Sequence, residues 1–151
     1  MSFFRLLPAR WFGLCGCLLL FVFTDATNAV AEEGKLEVQL VWGTNGEPPS
    51  GSNYKPLDES LAKKLGMFKW KKFFVVNRQH IPVSASAQKV RLSEQCEIDI
   101  KNLEGSRYEM NVFGKGKHVL KKTGNITKGG PFVIAGDDEN DSAWFILIRQ
   151  R

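Results

Sequence analysis

Asp137-Asp138-Glu139-Asn140-Asp141 is the densest run of oxygen ligands in the chain. Hard cations such as calcium take about six to eight oxygens, and the alternating carboxylates of Asp137, Glu139 and Asp141 would offer three of them from one turn. The run lacks the invariant glycine and the distal bidentate glutamate of a helix-flanked calcium loop, so a solvated acidic turn is the simpler reading. A second group is basic. Lys115, Lys117, His118, Lys121 and Lys122 lie close together, and Lys69, Lys71 and Lys72 flank Trp70. Lysines interleaved with rings suit an anionic polymer, whose charges pair with ammonium groups while its rings stack, and an anionic glycan is the partner this pattern expects. The same lysines would also discourage an edge strand from pairing with other chains.

His80 and His118 are the only histidines, and neither stands in a short metal spacing such as His-x-x-x-His. No Gly-x-Ser-x-Gly elbow marks a nucleophile. The expectation is therefore a non-enzymatic binding or structural protein. Two alternatives stand beside it: a calcium-stabilised module, and a hydrolase whose site assembles from distant residues, such as an acid of the Asp137 to Asp141 run near either histidine. Asn125-Ile126-Thr127 and Asn140-Asp141-Ser142 fit the N-glycan acceptor pattern, but asparagine is also an ordinary turn residue.

The N-terminal residues have an export layout. Arg5 and Arg10 supply positive charge, 11–23 is an uncharged apolar run of thirteen residues, and small residues follow, ending in Ala29-Val30-Ala31. A membrane-crossing helix needs about twenty residues, so a cleaved signal peptide over 1–31 is expected, with Ala29 and Ala31 at the cut and the mature chain 32–151 starting at Glu32. Leu14-Cys15-Gly16-Cys17 resembles a lipobox, which would tether the protein through an acylated Cys17, but the apolar run continues beyond it to Phe23. The setting expected is secreted or periplasmic.

The 120 residues of 32–151 suit one domain and carry 19 basic and 15 acidic side chains, a formal +4. That mild excess falls short of the clustered stripe of a nucleic-acid binder. Only Cys96 remains, so no internal disulfide can form. It alternates with Ile98 and Ile100, which predicts a buried thiol acting as a small hydrophobe.

Positioning all of these is a β framework. Period-two alternation predicts a strand at 36–42, and further strands follow at 68–76, 88–92, 96–102, 107–113, 117–122, 131–135 and 143–149. Turn residues recur about every ten residues, as in hairpins of a sandwich or barrel. Parallel pairing would need long crossovers, and only one connection qualifies. The fold class expected is mostly β, an antiparallel β-sandwich of about eight strands with one short helix. Leu57, Leu61 and Leu65 place that helix at 58–65, capped by Asp58. The Gly- and Pro-rich loop 43–56 is long enough to expect a contact role. Trp42, Trp70 and Trp144 are expected as core anchors.

At Leu36-Glu37-Val38-Gln39-Leu40-Val41-Trp42-Gly43-Thr44-Asn45, at Lys89-Val90-Arg91-Leu92-Ser93-Glu94-Gln95-Cys96-Glu97-Ile98 and at Ala143-Trp144-Phe145-Ile146-Leu147, the chain resembles small exported β-rich bacterial proteins of uncharacterised function. The resemblance implies a bacterial envelope or extracellular setting, with an envelope protein as a further possible partner. It brings no catalytic motif.

Overall fold

In the computed structural model, which describes residues 34–151, the first alternating segment becomes β1 (Lys35–Thr44). The expected leader 1–31, with Cys15, Cys17, Ala29 and Ala31, lies outside the described residues. After β1 come β2 (Lys55–Pro56), α1 (Glu59–Lys64), β3 (Lys72–Pro82), β4 (Gln88–Arg91) and β5 (Cys96–Glu104). The chain continues through β6 (Arg107–Gly114), β7 (Lys117–Asn125), β8 (Phe132–Asp138) and β9 (Ser142–Gln150). Among the described residues this makes nine strands and one short helix, mostly β as expected. The ninth strand is the two-residue β2. The strand expected over 68–76 instead begins at Lys72 and runs on to Pro82.

All the strand pairings described are antiparallel, in one sheet ordered β2-β3-β1-β9-β8 and another ordered β4-β5-β6-β7. Leu36, Val38 and Leu40 of β1 pack with Ile98 and Ile100 of β5 and Met110 of β6, so alternate residues of each sheet close one core between them. Burial of each such side chain contributes about 1.5–3 kcal/mol, which is what fixes the two sheets face to face.

The five-stranded sheet has a second covered face. Val41, Phe145 and Leu147 point away from the first core and meet Leu61 and Leu65 of the helical segment, together with Trp70. Burial on both faces explains why β9 reads as a nearly continuous apolar run and not as an alternation. Asp58 caps α1 by accepting from the Ser60 N–H at 3.0 Å, and Lys63 and Lys64 favour the carbonyl end of the helix. Phe145, fully buried, meets the rings of Phe68, Trp70 and Phe73 at 4.9, 5.8 and 5.6 Å in edge-on geometry. Among the described residues no helix is long and apolar enough to cross a membrane.

Candidate functional site

Cross-strand register assembles a row that local spacing does not reveal. Phe74 pairs with Trp42, Trp42 with Trp144, and Trp144 with Gly136, so β3, β1, β9 and β8 present these four residues at one level. Directly opposed residues share a face, and this is the face turned toward the other sheet. The Trp42 ring lies 6.4 Å from Phe74, while Tyr54, on the connection between β1 and β2, closes to 6.3 Å at 57°. A Cβ on Gly136 would fall 2.2 Å from Cζ2 of Trp144, so the indole rests directly on this glycine's backbone.

These rings stand where the sandwich opens. A cleft of about 850 Å³ runs between the sheets at this end, with Trp42, Tyr54 and Trp144 on one wall and Cys96, Val112 and Phe113 on the other. That volume falls within the range of small-ligand sites, which are concave, mostly apolar and fitted with a few polar groups. The polar groups here are Glu94, Asp137, Asp138 and Glu139, with Lys115 as the cation. Lys115 and Gly116 take positive φ of 51° and 75°, the tight hairpin geometry that carries Lys115 to the cleft. Trp42 and Trp144 are half-buried and line the cleft, and Trp144 also packs against the core between the sheets. Trp70 is the fully buried one of the three, 8% exposed, with its Nε1 donating to the Asp141 carbonyl at 3.0 Å.

Of the basic residues expected to bind, Lys69 is spent on Asp141, at 2.6 Å, and also lies over the Trp70 ring. That carboxylate raises the Lys69 pKa. The Lys71 N–H is held by the Asn45 side chain at 3.0 Å, with its own side chain exposed. Lys121 pairs with Glu109 at 2.8 Å, and His118 meets the Phe113 ring edge-on at 5.3 Å. Lys117 is exposed, while Lys121 and Lys122, adjacent on β7, leave on opposite faces. The structure thus joins Lys69, Trp70 and Asp141 to one another, keeps Lys117, His118 and Lys121 on β7, and brings Lys115, in the β6–β7 turn, to the cleft.

The calcium set disperses in the same way. Asp137 and Glu139 line the cleft, whereas Asp141 turns to Lys69. Among the described residues no group of three or more His, Cys, Asp or Glu is placed to hold a metal. His80 pairs with Glu37, not with the acidic turn. Cys96 is half-buried, and burial followed by the nearby Glu97 charge pushes its thiol pKa up, which suits a packing role better than a nucleophile.

No family model, curated protein or solved structure matches this chain.

A second polar cluster lies on the opposite face of the five-stranded sheet, about 17 Å along β1 from Trp42 at the usual strand rise. Glu37, with no exposed surface, accepts from Arg149 Nε at 2.9 Å and Arg151 Nε at 2.8 Å, and His80 Nε2 lies 3.2 Å away. Gln39 donates to the same carboxylate. Burial alone would raise the Glu37 pKa, but the hydrogen bonds from Arg151, Gln39 and Arg149 outweigh it and bring the group down to about 2. Arg151, whose N–H also donates to the Lys35 carbonyl at 2.8 Å, is thereby fastened onto the sheet. Both carboxylate oxygens of Glu37 are thus engaged by side chains of this chain, while the Gln39 Oε1 is buried beside them without a partner among the described residues.

Proposed function

We propose that residues 1–31 export this chain and that the remainder is a non-enzymatic binding module, periplasmic or secreted, whose ligand sits in the cleft against Trp42 and Trp144. The observation that carries the proposal is the placement of two indoles and a phenol, all half-buried, along one wall of a concave site. Each large ring left wet has apolar surface that a ligand would remove from water, and a flat apolar ligand face would stack on it.

The anionic glycan expected from the lysines has less support, because Lys69 and Lys121 are already ion-paired and the cleft rim carries more carboxylates than ammonium groups. A hydrolase has no nucleophile and base within hydrogen-bond reach to support it among the described contacts, since His80 is held by Glu37 and His118 packs on Phe113.

A thermal-shift panel of oligosaccharides, amines and short peptides on residues 32–151 tests this. The expected result is a compound that raises Tm of the wild type and loses its effect in both Trp42→Ala and Trp144→Ala. A compound whose effect survives both substitutions but vanishes in Lys117→Ala would overturn the cleft as the seat.

A further inference from the structure

We infer that the cleft selects an organic cation, an ammonium or guanidinium group carried on an apolar body; this rests on the cleft being the ligand seat. The domain as a whole is basic, yet the rim of this one concavity reverses that sign. Glu94, Asp137, Asp138 and Glu139 face it with Lys115 as the opposing charge, an excess of three negative charges. Among the described residues none of these four carboxylates makes an ion pair, and the neighbouring Lys69 is already committed to Asp141.

With four carboxylates and one ammonium on its lining, the cleft attracts a cation and disfavours an anion. The aromatic wall adds a second, independent attraction. Trp42 and Tyr54 are tilted against each other, with centroids 6.3 Å apart and planes at 57°, Trp144 stands beside Trp42 in register, and all three line the cleft. Ring faces carry negative quadrupole charge, so an alkylated ammonium gains from them while shedding little hydration. A neutral ligand would use the rings alone, and an anion would meet repulsion at the rim.

Choline and its carbon isostere 3,3-dimethylbutan-1-ol differ essentially in one charge, and their titration followed by the indole N–H resonances isolates it. Choline is expected to bind tighter by about ten-fold at low salt, the scale of a partly desolvated cation–π contact. The preference should shrink at about 0.5 M salt and in Asp137→Asn/Asp138→Asn. An unshifted Trp70 resonance in that variant reports an intact hairpin, since its indole donates to Asp141. Equal binding of the two probes, both shifting Trp42 and Trp144, would overturn the cation preference and leave the cleft as the seat. Failure of choline to shift either indole, while a neutral compound does, would overturn it equally.

Discussion

Replacing Glu37 by Gln keeps the side-chain volume, removes the charge and turns one accepting oxygen into an N–H donor, which makes it a measure of the buried cluster. The folded carboxyl sits at about 2 against an ordinary 4.5, so the unfolded chain binds the extra proton. Stability from this group is therefore complete above about pH 4.5 and is lost as pH falls toward 2. At about 1.36 kcal/mol per pKa unit the interval corresponds to about 3 kcal/mol, reduced toward about 2 because the Arg151 partner is half exposed. Urea unfolding of wild type and Glu37→Gln, followed by tryptophan fluorescence at steps from neutral pH downward, reads it out. Wild type should exceed the variant by about 2–3 kcal/mol near neutrality, with the gap closing as pH approaches about 2. Parallel stability curves across that window would refute the assignment of a charged, hydrogen-bonded Glu37.

Other outcomes follow from single contacts. In Gly136→Ala the new methyl must displace the Trp144 indole, so ligand affinity should fall and unfolding free energy drop by about 1–3 kcal/mol, checked by titration and urea melts. A chelator should leave Tm unchanged, because Asp141 is held by Lys69 and does not join Asp137 and Glu139; a fall of several degrees would restore the calcium-stabilised module. Cys96 should react with a thiol reagent more slowly in the folded protein than in urea, because burial and Glu97 hold its pKa up. Equal rates would mean an open thiol.

Much of the framework was legible from alternation and punctuation. β1, β4, β5 and β6 fall within a few residues of where apolar periodicity placed them, and the Asp58 cap with the Leu61 spacing marked the helix. The second half of β3, Asn77–Pro82 in sequence, was hidden because Arg78 and His80 look like solvent-facing polar residues. His80 is polar because it lies across from Glu37. Glu37 itself reads as the wet side of an amphipathic strand, yet it is fully covered because β1 is central in its sheet and arginines arrive from β9 and the residue after it. The cleft was hidden for a related reason. Trp42 and Trp144 become neighbours only through the pairing of β1 with β9, and the opposite wall comes from a separate sheet. Composition marks the tryptophans as buried anchors, which holds fully for Trp70, where a second face of the sheet is covered by the helical segment, and in part for Trp144, which packs against the first core while lining the cleft. The lysine groups were visible as a pattern, but their partners Asp141 and Glu109 lie elsewhere in sequence or on a neighbouring strand.

The claim that the cleft is the ligand seat is tested most directly by the three indole N–H resonances of Trp42, Trp70 and Trp144 in the domain 32–151, titrated with choline, arginine and cellotetraose. At least one of these is expected to shift Trp42 and Trp144 together while Trp70, hydrogen-bonded to Asp141, stays in place. Movement confined to Trp70 and the β6–β7 hairpin, with Trp42 and Trp144 unmoved by all three probes, would contradict it.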